Sequence, residues 1–256
     1  MLVDSHSHFD ANEFDSDRAA ALDRARAAGV HRQVVPAVTE ASWPKLRDVC
    51  SKNAGLHPAY GLHPLYLQYH REQHLDSLGD WIARERPVAI GECGLDFYVE
   101  GLDAEAQHRY FDGQLQLARE LDLPVIVHAR RAVEAVIVAI KRIGNLRGVV
   151  HSFPGSEEQA RQLWKLGFMI GIGGPVTYAR ANRLRQLVAG MPIEYLLLET
   201  DAPDQPDAAH RGQRNEPARL PVVLKTIAAL RGESEIDVAA ATSANAERLF
   251  GLPKPR

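Results

Sequence analysis

Residues 104–151 read AEAQHRYFDGQLQLARELDLPVIVHARRAVEAVIVAIKRIGNLRGVVH, a helical pattern and a strand-like run, each occurring twice in alternation. Apolar residues in 104–121 recur at helical spacing and place Leu115, Leu117, Ala118 and Leu121 toward a core. Pro124-Val-Ile-Val-His128 is a short β-branched run ending in a polar residue, as a strand buried on both faces does. Residues 131–143 return to the helical period and stop at Gly144, a residue suited to a helix end. Gly148-Val-Val-His151 is then a second strand, also ending in histidine.

The same alternation extends both ways. Strands are predicted at 2–8, 33–37, 59–62, 88–92, 124–128, 148–151, 168–172 and 195–199, at a spacing that suits one βα unit each. Further helices are predicted at 18–28, from Ser156 to Gly167, at 217–230 and at 235–250. Ser156-Glu157-Glu158 sets a hydroxyl at the N-cap and acids in the first turn. Eight such units predict an α/β chain forming one (β/α)8 TIM barrel over residues 1–256. An open doubly wound sheet is the alternative, though no GxGxxG follows the first strand.

A length of 256 residues suits one such barrel, and 45% hydrophobic with 25% charged residues excludes a disordered chain. Two cysteines, Cys50 and Cys93, exclude a disulfide scaffold and a Cys-rich zinc module, and fit a reducing cytosol. The opening MLVDSHSHFD does not read as a signal peptide, and apolar runs such as 135–140 fall far short of a bilayer span. A cytoplasmic protein is expected, with no membrane and no obligate protein partner. Formal net charge is −3, which argues against coating nucleic acid but not against holding a few nucleotides in a cleft.

Chemistry collects at the strand ends. His6-Ser7-His8 closes the first strand, and residues two apart on a strand share a face. Glu92 ends the fourth strand, His128 the fifth and His151 the sixth, and Asp201 follows the eighth. Active sites of such barrels lie at this C-terminal rim. Imidazoles and carboxylates suit Zn²⁺, Mn²⁺, Fe or Ni and accept Mg²⁺ less well. Six donors exceed the need of one tetrahedral ion, so two divalent ions are expected, with Glu92 on the middle strand as bridge. The expected split is His6, His8, Glu92 and Asp201 for one ion, and Glu92, His128 and His151 for the other. Such a pair lowers the pKa of a bound water and clamps both oxygens of a displacement.

VDSHSHFD, GLHP, GECGLDF, PVIVHAR, VVHSFPGS, LLLETDAP, RNEP and TSANAERLF together resemble the TatD family of metal-dependent deoxyribonucleases, within the amidohydrolase-like barrels. The resemblance runs from residue 2 to about residue 250, and the wording of VVHSFPGS and IGIGGPVTYARA is similar to the YjjV-like branch. It implies metal ligands at His6, His8, Glu92, His128, His151 and Asp201, and phosphodiester hydrolysis, mostly 3′–5′ exonucleolytic, on DNA ends. Two departures stand out: Val150 where relatives often carry Cys, and Phe97-Tyr98-Val99 where many have Tyr or His pairs.

Asp201 and Glu92 are the expected catalytic carboxylates, with Asp201 as the base. Arg130 offers a planar fork for phosphate; His63, Arg214 and Asn215 are further substrate-binding candidates, against capping and solvated-loop readings. Glu199 is expected to orient a ligand. A metal-dependent amide or ester hydrolase, such as an aminoacyl-tRNA deacylase, uses the same chemistry and stays open as an alternative, as does a non-catalytic binding barrel.

Overall fold

The computed structural model describes residues 1–252. Strands and helices alternate: β1 (Leu2–Asp4), α1 (Arg18–Ala27), β2 (Val30–Pro36), α2 (Trp43–Lys52), β3 (Leu56–Tyr60), α3 (Gln73–Glu85), β4 (Ala89–Asp96), α4 (Ala104–Glu120), β5 (Val125–Arg130), α5 (Val133–Ile143), β6 (Gly148–Val150), α6 (Glu157–Lys165), β7 (Phe168–Ile172), α7 (Asn182–Gly190), β8 (Leu196–Leu198), α8 (Leu220–Arg231) and α9 (Glu235–Phe250). The sheet order follows the sequence from β1 to β8. A doubly wound sheet reverses its strand order at a switch point, and this order has no reversal. The pairs β1–β2, β3–β4, β4–β5, β5–β6 and β7–β8 are parallel. Among the described residues no helix is long and apolar enough to cross a membrane.

The chain divides into two compact units, Met1–Val35 with Ile170–Arg256, and Pro36–Met169. In the first, Phe9 and Phe14 are buried with ring centroids 4.9 Å apart, and β8 is buried throughout. In the second, Trp43, Tyr60 and Trp81 pack edge-on or tilted, and β4 is buried along its whole length. Gly94 lets β4 and β5 approach closely: a Cβ there would lie 2.0 Å from the His128 carbonyl oxygen, and its φ is +136°.

Several expected boundaries shift. β1 ends at Asp4, so His6 and His8 lie beyond the strand and not on it. Pairing nevertheless continues: Ser7 N donates to Val34 O, His8 N to Ala202 O, and Asp201 N to His6 O. This extended pairing keeps both imidazoles on one side. β4 runs on to Asp96, past the expected end at Glu92. Leu121, expected in the core, is exposed, and the buried face of α4 instead includes Gln107 and Gln114. Helices α2, α3 and α7 were not among the predicted ones; α3 carries buried Leu78 and Ile82 at helical spacing, the signal that marks it.

Candidate metal centre

In the first unit three donors converge. His6 Nε2 lies 3.2 Å from His8 Nε2 and 3.4 Å from Asp201 Oδ1; His8 Nε2 is 3.7 Å from the same oxygen. Donors 2.0–2.2 Å from a tetrahedral divalent ion stand about 3.4 Å apart, so these edges fit one ion. His6 and Asp201 are buried. Asp201 has a left-handed backbone, φ 57°, which Asp tolerates better than most residues, and the amide of Gln205 donates to its Oδ2.

Asp4, which the sequence reading passed over, holds this cluster in place. Its Oδ1 accepts from His6 N (3.2 Å) and Thr200 N (3.0 Å), and its Oδ2 from the Thr200 hydroxyl (2.6 Å). One carboxylate thus ties the segment after β1 to the segment after β8. Burial pushes Asp4 up to about 7, against the lowering pull of those hydrogen bonds.

In the second unit Glu92 is buried, and one of its oxygens meets three imidazoles. Oε1 lies 2.9 Å from His63 Nε2, 3.2 Å from His128 Nδ1 and 2.8 Å from His151 Nε2. His128 Nδ1 and His151 Nε2 are 3.4 Å apart. Glu92, His128 and His151 therefore form a second set with the edges of a divalent-ion site. His63 plays a different part. Its Nδ1 accepts from Leu65 N at 3.1 Å, so the ring proton sits on Nε2 and is donated to Glu92. In this tautomer His63 is a donor to Glu92.

Orientation of the second set comes from residues that sequence reasoning missed. His128 Nε2 donates to Asp96 Oδ2 at 2.9 Å, which leaves Nδ1 facing the cluster. Asp96 Oδ1 accepts from Tyr98 N and Val99 N at 2.9 and 3.0 Å. Burial alone would raise Asp96, but the hydrogen bonds from His128, Val99 and Tyr98 hold it at about 2. Burial lowers His128, and the bonds to Asp96 and Glu92 outweigh it, so its pKa ends above the ordinary value. Gln107 on α4 clamps the Asp96 backbone, accepting from its N and donating to its O at 2.7 and 2.9 Å. Two turns on, Gln114 does the same for Leu62 at 2.8 and 3.1 Å, next to His63. His70 is buried and donates Nε2 to the His63 carbonyl at 2.9 Å.

The other candidates have contacts of their own. Arg214 grips both oxygens of Asp17 at 2.7 and 2.8 Å and lies over Phe14, so its donors are committed to the fold. Asn215 is buried; its amide donates to Thr200 O and Asp204 O, both at 2.8 Å, and braces the loop that carries Asp201. Arg130 is exposed and stacks on Tyr98, its guanidinium carbon 3.6 Å from the ring centroid. Glu199 is buried in the same unit as Asp4.

Residues 3–251 match the family described as "TatD related DNase". This chain belongs to the TatD family. It is 39% identical over 255 residues, 98% of each chain, to the Escherichia coli K12 protein named uncharacterized metal-dependent hydrolase YjjV. The crystal structure of YjjV, a TatD homologue, superposes with a TM-score of 0.95 over 98% of both chains, and the fold is of the (β/α)8 barrel class. The 3′-5′ ssDNA/RNA exonuclease TatD of Klebsiella pneumoniae is 34% identical over 260 residues, 98% of each chain.

Proposed function

We propose that this chain hydrolyses phosphodiester bonds at the 3′ ends of DNA or RNA strands, with two divalent ions. His6, His8 and Asp201 would hold one, and Glu92, His128 and His151 the other. The observation that carries this reading is the pair of three-donor sets, with edges of 3.2–3.7 Å in the first and 2.8–3.4 Å in the second. Membership of the TatD family and likeness to a relative named as a 3′-5′ exonuclease support it. The donor set suits Zn²⁺, Mn²⁺, Fe or Ni, and Mg²⁺ less well. When bound, the ions would supply an activated water and offset the charge that builds on phosphorus.

The chain's own groups do the rest. Asp201 keeps a carboxylate oxygen beside His6 and His8, within reach of the attacking water, and takes its proton. His63 carries a proton on Nε2 next to Glu92 and can donate it to a phosphate oxygen. Arg130, with no carboxylate on its guanidinium among the described residues, grips a phosphate. The reaction belongs in the cytoplasm, where the buried thiols Cys50 and Cys93 stay reduced.

The test is a 5′-labelled single-stranded oligonucleotide incubated with protein reconstituted in turn with each metal. A ladder shortening from the 3′ end is expected. Inertness with every metal, together with cleavage of an aminoacyl ester, would replace this reading with an ester hydrolase.

A further inference from the structure

We propose that the loop after β4 and the two arginines at the end of β5 form a base-stacking subsite for single-stranded nucleic acid, with the Tyr98 ring as its platform. The proposal rests on the phosphodiesterase reading and names the form of its substrate.

Four aromatic rings stand exposed among the described residues: Tyr66 at 36%, Tyr69 at 60%, Phe97 at 40% and Tyr98 at 46%. Scattered singly they would need no explanation. All four lie on two loops, the turn Pro64–Tyr69 after β3 and the segment after β4. Both loops are fixed to the second donor set. The Tyr66 ring is 5.7 Å from His63, whose ring is 4.7 Å from His128. Tyr98 N donates to Asp96, the carboxylate that holds His128. A base on either loop would therefore belong to a nucleotide close to the scissile bond.

The arginines give the loop its charge. The guanidinium carbons of Arg130 and Arg131 lie 3.6 and 4.7 Å from the Tyr98 ring centroid. Successive strand residues point to opposite faces, but Arg131 has a left-handed backbone, φ 53°, which turns its side chain to the same ring. Neither guanidinium meets a carboxylate among the described residues, whereas Arg18, Arg24, Arg142, Arg147, Arg161 and Arg214 each do. A stacked guanidinium keeps its N–H edge free for phosphate, and it stiffens the ring so that less conformational freedom is lost on binding.

A ring flanked by unpaired cations matches a nucleotide: base on ring, phosphate on guanidinium. Bases inside a duplex already stack on both faces, so the platform favours unpaired bases. Stacking of this kind is sequence-tolerant.

The test is fluorescence anisotropy of a labelled, nuclease-resistant phosphorothioate 8-mer with metal-loaded protein. Tyr98→Leu should weaken binding about 5- to 150-fold. Tyr98→Phe should retain it, which separates the ring from the hydroxyl and serves as the folding control. An abasic 8-mer should bind weakly and be indifferent to Tyr98→Leu, an outcome that a merely structural role would not produce. Binding by Tyr98→Leu within twofold of wild type, equal binding of the abasic oligomer, or preference for a matched duplex would overturn the proposal. Hydrolysis of bis(p-nitrophenyl) phosphate by the wild type is read separately. Its absence would count against the phosphodiesterase reading, while the binding arms still decide the subsite.

Discussion

Asp96→Asn isolates the group that aims His128. In the native protein Asp96 Oδ2 accepts from His128 Nε2 at 2.9 Å, while Oδ1 accepts from Tyr98 N and Val99 N. An asparagine can satisfy only one side. If its NH2 faces the ring, Nε2 must become the acceptor, and the imidazole proton moves to Nδ1, where a metal would bind. If its oxygen faces the ring, the NH2 opposes two backbone N–H groups, at about 1–3 kcal/mol for each donor left unmatched. The first outcome costs about 10–100-fold in metal affinity, or about 1.4–2.7 kcal/mol. The second appears as a lower urea midpoint, since two unmatched donors cost about 2 kcal/mol or more. Competition against a fluorescent chelator at pH 8 reads the affinity, and a urea melt reads the stability. Affinity within threefold of wild type with an unchanged melt would refute the orienting role of Asp96.

Other consequences can be measured as directly. Asp201→Asn keeps the shape and an oxygen ligand but removes the base; oligonucleotide cleavage should slow about 10²–10⁴-fold with the circular dichroism spectrum retained, and near-normal cleavage would end that assignment. Gly94→Ala should destabilise the chain by about 3 kcal/mol or more in urea, because its Cβ would meet the His128 carbonyl oxygen at 2.0 Å and its φ is +136°. The raised pKa of His128 means that a proton competes for Nδ1 at a higher pH than on an ordinary imidazole. Metal affinity at the second set should therefore already fall as pH drops toward 6.5, and a pH-independent affinity from 8 to 6 would count against His128 as a ligand. The same shift has the opposite sign for the metal-free protein: the contribution of His128 is fully present below 6.5 and fades as pH rises through its folded value. The contribution of Asp96 is present above 3.8 and fades as pH falls toward about 2.

The donor residues were legible because each sits at or just past the end of an apolar run, and runs and breaks are local signals. The orienting residues were not legible for the opposite reason. Asp4 acts through Thr200, 196 positions away, and no local pattern marks such a bond. Asp96 shares the side of β4 that Glu92 occupies, at even spacing, but Gly94 reads as a break, and the strand was ended before it. The glutamines of α4 lie on the buried face of an amphipathic helix, where polar residues seven apart were a usable sign. No local pattern marks the pairing of Arg214 with Asp17, 197 positions distant. His6 and His8 were paired for a reason that only half holds: the strand stops at Asp4, and backbone bonds to Val34 and Ala202 carry the pleat onward.

Metal stoichiometry bears most directly on the account as a whole. Purified protein saturated with Zn²⁺ or Mn²⁺, freed of excess and analysed by inductively coupled plasma mass spectrometry, should hold two ions per chain. His8→Ala and His128→Ala should each hold about one, because each removes a ligand from a different donor set. A single ion in the wild type, or two ions retained in His128→Ala, would contradict the assignment of Glu92, His128 and His151 as a site of their own.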